Sequence, residues 1–363
     1  MQNKIPSSAA QGKDADFAQM QSDMAKNWFE RLKASGVDVE AYIGERQRSY
    51  IVRWKEAMAH IGAGRRILDI GGGFSFDGLL EYLRSQQVDY HFLDIDPSAA
   101  EATAALAEKF GYGRERFHTG FNSSIPYPDA SFDAVFSSHS LEHTDDLTAT
   151  FAEIHRTLRP DGMLTFAVPI GWDQALREHP YFFSADEWLN LVSGFGFDIL
   201  NVHIGKTYPE SAYDIFVVAR KMKDFHLEAR VNIAEHTKSS YEFVPFSNEI
   251  FSYLGDWDVR SDHTIGLRQS SALTISLPKG THRVRLVCGM HAWSGIARFA
   301  CEAEVTVHDL YRWYSCTNAV PVQLPARGVA NTLHVAPLFK PPASRDCQVV
   351  IYGALLGGAE LSR

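Results

Sequence analysis

RRILDIGGGFSFDGLL, residues 65–80, is an apolar strand that runs into three consecutive glycines and then into a helix. A strand, a glycine turn and a helix N-terminus together let a ligand approach the backbone closely and meet exposed N–H donors. Dinucleotide loops use this arrangement as G-x-G-x-x-G, with the last glycine allowing tight helix–strand packing. Gly71 and Gly73 fit that pattern, but its third site is Phe76, and a bulky ring there obstructs the packing. The loop therefore reads as nucleotide-like without being a nicotinamide or flavin loop.

Outward from this stretch the chain keeps a βαβ rhythm. Tyr90–Leu93 is a second strand, Asp96-Pro97 supplies an N-cap acid and a proline at N1, and 99–110 is the helix that follows. Phe132–Phe136 is a strand, and Leu147, Phe151, Ile154 and Leu158 step along a helix face. Arg159-Pro160-Asp161-Gly162 predicts a turn into a strand at Met163–Val168, and Ser184 and Glu187 form a capping box opening a helix through Trp188, Leu191 and Phe195. Strands at 197–204 and 213–219 close the series. The pattern predicts an α/β fold, a doubly wound, mostly parallel sheet with helices on both faces.

Upstream, 14–64 reads as helices, with Phe17, Met20, Met24 and Trp28 at helical spacing. Tyr42, Tyr50 and Trp54 in this region either close over a ligand or pack as core. Residues 1–13 are polar and are expected to form a mobile tail. After about residue 225, short alternating segments such as HRVRLVCGM and CQVVIYGALL are separated by Gly, Pro, Asn and Ser, the pattern of an all-β sandwich over 225–363. The α/β domain then occupies 65–224.

The glycine stretch resembles motif I of the class I S-adenosylmethionine-dependent methyltransferases, (D/E)-x-G-x-G-x-G after an apolar strand. Asp69, Gly71 and Gly73 match, while Ser75 stands where the last glycine belongs. The resemblance continues in order through YHFLDIDP, SSIPYPDASFDAVFSSHSLEHTDD, LRPDGMLTFAVP and HPYFFSADEWLNLVSGFGFDIL. It implies a Rossmann-like seven-stranded sheet and S-adenosylmethionine as cofactor. By the same resemblance Asp69 lies near the cofactor's amino group, Gly71, Gly72 and Gly73 pass beneath it, and Asp94 accepts both ribose hydroxyls, as a strand-end carboxylate is able to do. Phe121 and Asn122 take the adenine-reading sites, in place of the acid and small residue common in the family, with Ile95 and Ser138 beside the cofactor.

Three histidines are candidates for the acceptor side. His139 sits at a strand's C-terminal edge, where open α/β sheets place ligands; His143 follows it, and His179 lies in the loop after the fifth strand with Trp172 and Asp173. An imidazole suits a general base for an alcohol acceptor. Each has a plainer structural reading as a packing or surface residue. His139–His143 also fits H-x-x-E-H, the zinc-protease pattern, which demands one continuous helix and a third ligand, so no metal is expected.

Composition narrows the classes further. The 363 residues are 45% hydrophobic and carry a net charge of −9, which argues against broad binding to nucleic acid. No apolar run approaches the roughly 20 residues of a membrane span, and no secretory signal opens the chain, so a cytoplasmic location is expected. Cys288, Cys301, Cys316 and Cys347 lack metal or redox spacing. The leading expectation is methyl transfer to a small-molecule or sugar acceptor at oxygen, in glycan biosynthesis. Natural-product O- or N-methylation, or a non-catalytic scaffold binding the cofactor or a glycan, stay open. Trp257, Trp293 and Trp313 either form a sugar-stacking platform or fill the sandwich core, and a homodimer would form through the β-domain or the N-terminal helices.

Overall fold

The computed structural model describes residues 36–173, 178–206, 213–223, 232–325 and 332–358, with Phe17, Gln19, Met20, Asp23, Glu30 and 32–34. The expected tail at 1–13 and the residues Met24 and Trp28 lie outside the described residues. The chain packs as two compact units. The first comprises Met1–Pro169, Leu176–Pro180 and Leu189–Val231; the second comprises Ile170–Ala175, Tyr181–Trp188 and Asn232–Arg363.

The first unit is built on a sheet of strands β1 (Arg66–Ile70), β2 (Asp89–Asp94), β3 (Phe117–Thr119), β4 (Phe132–Ser138), β5 (Leu158–Pro169), β6 (Phe197–Lys206) and β7 (Tyr213–Lys221). Their order is β3-β2-β1-β4-β5-β7-β6. The first five are parallel, and β7 runs antiparallel to both β5 and β6. The order reverses at β1, so the C-terminal ends of β1 and β4 flank the crevice where doubly wound sheets bind ligands.

Sequence signals account for the helices α1 (Val39–Ile61), α2 (Asp77–Ser85), α3 (Pro97–Glu108), α4 (Leu147–Thr157) and α5 (Ala185–Gly194). The Asp38, Asp96 and Asp146 carboxylates accept from backbone N–H groups at the starts of α1, α3 and α4, satisfying donors that would otherwise be orphaned. Leu158 departs from the helical spacing: it leaves α4 and opens β5. The expected turn at 159–162 is an irregular start to that strand, with Asp161 at φ +62°, a conformation Asp tolerates better than most residues. On α1, Trp54 is fully buried and stacks on Phe136 at 4.1 Å, so it is core. Among the described residues no helix is long and apolar enough to cross a membrane.

The second unit holds antiparallel sheets of six and five strands among its described residues. Leu273, Ile275 and Val335 from one sheet meet Leu286, Cys288 and Ile351 from the other in a single core, as a sandwich requires. Trp257 packs against this core and donates to the Ala272 carbonyl at 3.1 Å, whereas Trp293 and Trp313 are exposed. Trp172 belongs to this unit. Its backbone N–H donates to the Thr317 carbonyl at 2.6 Å and its ring stacks on Phe243.

The capping box at Ser184 and Glu187 forms in both directions. Glu187 N–H donates to Ser184 Oγ at 3.2 Å, and Ser184 N–H to Glu187 Oε2 at 2.7 Å. Glu187 Oε1 also meets His236 Nε2 at 2.8 Å and accepts from the buried Arg285 guanidinium at 3.1 Å. Burial would raise the Glu187 pKa, but His236 and Arg285 outweigh it and hold the carboxyl at about 2. Truncation would leave Arg285 buried with only the Ala319 carbonyl and the imidazole to face. Glu187→Ala should therefore cost about 3–5 kcal/mol, read as a fall in urea midpoint. Glu187→Gln, which keeps the capping geometry, should cost clearly less.

Candidate functional site

Asp69 is the penultimate residue of β1 and is fully buried. Its carboxylate accepts hydrogen bonds from Tyr90 Oη at 2.9 Å and Tyr50 Oη at 3.0 Å. Burial pushes its pKa up to about 7; the two tyrosine hydroxyls pull it down and nearby Asp94 adds to the rise. Neither tyrosine belongs to the motif. Tyr90 is on β2 and Tyr50 on α1, so the N-terminal helix supplies one of the two donors holding the carboxylate.

The glycines earn their places differently. Gly71 has φ +66°, and a Cβ on it would meet Ser140 Oγ at 1.9 Å. A Cβ on Gly72 would meet Asp69 Oδ2 and a Phe92 ring carbon, both at 2.7 Å. Gly73 has φ +61° but faces open space, with nothing within 4 Å. Its N–H donates to Asp94 Oδ2 at 2.9 Å, while Asp94 Oδ1 accepts from Asp96 N–H. Asp94 thus pins the loop to the end of β2, with its pKa raised by burial against these backbone bonds. Ser75 lies outside the left-handed region, so the motif's missing glycine costs no backbone strain; its N–H reaches Thr103 Oγ1 at 3.2 Å.

A small, open concavity lies beside the loop. Gly71, Ile95, Phe121 and Asn122 line it, together with Ser140 and His143. Asn122 donates to Ser140 Oγ at 2.9 Å, joining the segment after β3 to the one after β4. Phe17 lies across the same concavity, 6.3 Å from the Phe121 ring. Four cofactor candidates therefore share one wall with His143. Asp69 lies behind the loop, and Ser138 is half-buried at the end of β4.

His139 follows β4 at φ +54°, an uncommon conformation for a residue with a Cβ and of the kind that gathers at functional sites. Its Nδ1 is 3.4 Å from Glu142 Oε1 and its Nε2 is 3.4 Å from Asp214 Oδ2. Burial alone would lower its pKa, yet the two carboxylates outweigh this and push it up to about 10. Glu142 is buried and held at about 2: burial opposes ionisation, and His139, His143 and His179 favour it. Residues 141–143 form a single 3-10 turn, so His139 and His143 share no helical face and the zinc-protease reading has no support in the backbone. His179 packs edge-on against His143 at 4.4 Å. Asp214 had no local signal, because it reaches the site only through the antiparallel β7.

The glycine loop and the carboxylates near the C-terminal ends of β1 and β2 stand where the sheet order reverses, the place where doubly wound sheets bind ligands. Residues 42–202 match the family model described as "Methyltransferase domain", and this match supports a class I S-adenosylmethionine-dependent methyltransferase domain in that part of the chain. The chain is similar to malonyl-[acyl-carrier protein] O-methyltransferase of Halorhodospira halophila, 33% identical over 28% of this chain and 34% of that enzyme. It is also similar to demethylmenaquinone methyltransferase of Deinococcus radiodurans, 34% identical over 30% of this chain and 44% of that enzyme. The chain thus spans about a third of the first relative and under half of the second. Among solved structures, Burkholderia thailandensis 1,6-didemethyltoxoflavin-N1-methyltransferase aligns with a TM-score of 0.43 and 20% identity, covering 61% of this chain and 94% of that one.

The two left-handed glycines predict a split in stability. Gly71→Ala adds a clash with Ser140 to a left-handed backbone and should lower the melting temperature well beyond Gly73→Ala. The latter should cost only the conformational strain of roughly 1–2 kcal/mol. Equal losses in paired thermal melts would contradict this account of the loop.

Proposed function

We propose that this chain transfers the methyl group of S-adenosylmethionine to a hydroxyl of a small-molecule acceptor. The observation that carries the reading is the cradle of Asp69, Gly71–Gly73 and Asp94 at the ends of β1 and β2. The Asp69 carboxylate, directly beneath Gly72, supports an ammonium position at the loop. Asp94 keeps lone pairs for the ribose hydroxyls beyond those facing Gly73 and Asp96. Phe121 and Asn122 on the shared wall support an adenine position.

Methyl transfer from a sulfonium is an in-line displacement in which the charge on sulfur disappears as the methyl moves. The protein's task is alignment of nucleophile, methyl and sulfur with water kept out. On the acceptor side, both His139 nitrogens face carboxylates, so neither aims a lone pair at the concavity. His143 lines the concavity with His179 packed against it, and an imidazole there supports an oxygen acceptor. In the second unit, the exposed rings of Trp293 and Trp313 support a saccharide, which stacks on such surfaces.

Incubating the full chain with S-adenosylmethionine and fractionated acceptors should release S-adenosylhomocysteine in a fraction containing hydroxylated small molecules or sugars. Tight cofactor binding with no product in any fraction would favour the scaffold reading instead.

A pH signature follows from Asp69. Its ionised form binds the ammonium, and its carboxyl titrates at about 7, so affinity should climb as pH rises through that value. Between about pH 6 and 7.5, S-adenosylhomocysteine should gain on the order of 5- to 10-fold in affinity by calorimetry. Asp69→Asn should bind weakly at both ends of the range, with no such slope.

A further inference from the structure

The turn after β4 contains a feature that methyl transfer leaves unexplained. Glu142 is 2% exposed, yet neither of its carboxylate oxygens receives a hydrogen bond. Buried carboxylates are normally paired or bound to a metal. The nearest positive group, His139 Nδ1, is 3.4 Å from Oε1, an ion-pair distance rather than a hydrogen bond. Glu142 Oε1 is also 4.0 Å from His143 Nε2. His143 Nδ1 lies 3.1 Å from the Glu178 carbonyl oxygen, which requires a donor, so Nδ1 carries a proton and Nε2 is the nitrogen on the Glu142 side. His179, next to Glu178, brings its ring to 4.4 Å from His143. The ligand atoms of Glu142, His143 and His179 all lie within 4.8 Å of one another.

We propose that Glu142, His143 and His179 bind one divalent transition-metal cation of the zinc class. Two imidazoles and a carboxylate are the donors that borderline cations prefer. A carbonyl fixing the tautomer of a ligating histidine is the usual outer support of such a site. Bonds of about 2.0–2.1 Å place tetrahedral ligands roughly 3.3 Å apart, so the cluster must contract. His179 is only half-buried and its torsions can supply that movement. His139 becomes a positioning residue: anchored by Asp214, it holds the Glu142 carboxylate in place. Three protein ligands leave a coordination position open, as in catalytic rather than structural sites. His143 also lines the concavity, from which an acceptor hydroxyl would take the open position. This last point rests on the methyl-transfer reading: a hydroxyl bound to the cation would lose its proton more readily.

The test uses the full, untagged chain, stripped with a chelator and then titrated with Zn²⁺ by calorimetry and with Co²⁺ by visible absorption. One cation per chain is expected, with Co²⁺ d–d bands of low coordination number. His179→Ala and His143→Ala should each weaken binding on the order of 100-fold, whereas His282→Ala, on an exposed loop of the second unit, should leave it unchanged. Glu142→Gln joins the series only if its melting curve shows a folded chain; the other variants carry the test without it. Absence of stoichiometric binding, or binding that survives both the His143 and His179 substitutions, would overturn the site. S-adenosylhomocysteine affinity is measured in parallel. If it stays intact while the cation fails to bind, the metal site falls and the methyl-transfer reading stands; the converse pattern separates them the other way.

Discussion

The carboxylate of Asp69 is the constraint around which the first unit is arranged. Hidden from solvent at the end of a parallel strand, it is tolerated only because two tyrosine hydroxyls reach it from different elements. Those contacts tie α1 and β2 to β1, and they leave space above the carboxylate that only a glycine at 72 fits. A second carboxylate, Asp94, receives the Gly73 N–H and fixes where the loop turns. Helix, loop and two strands thus converge on charge that the protein itself only partly neutralises.

The other end of the site follows a similar principle with different groups. After β4 the backbone enters a left-handed conformation at His139 and then makes a single tight turn. This sets an imidazole between Glu142 and Asp214 and sends His143 to the wall of the concavity beside His179. One strand end is thus crowded with tyrosines around an acid, and the other with histidines around an acid. Between them runs the narrow link of Asn122 and Ser140, whose hydroxyl also sits where a side chain at Gly71 would go.

Much of the fold was legible because short-range rules govern it. Caps at Asp96, and at Ser184 with Glu187, depend on neighbours three or fewer residues away, and the structure forms them as spaced. Alternation of apolar residues located the strands of both units. The proline and glycine at 160 and 162 signal a turn, and Arg159–Gly162 interrupt the β4 pairing, whose register passes from Leu158 to Met163. Trp172 belongs to the second unit, where its indole stacks on Phe243, a contact that no local pattern encodes.

By itself the sequence determined the α/β frame, the glycine loop and the two strand-end acids, since each follows from spacing within a few residues and from the geometry of a strand meeting a helix. Only the tertiary structure decided what those groups do to one another. That Tyr50 and Tyr90 hold Asp69 is a contact across 19 and 21 positions, and that His139 is locked between Glu142 and Asp214 depends on an antiparallel strand far along the chain. Charge state and donor direction at a buried site are set by the sum of such distant neighbours in a low-dielectric interior, and no local pattern encodes that sum.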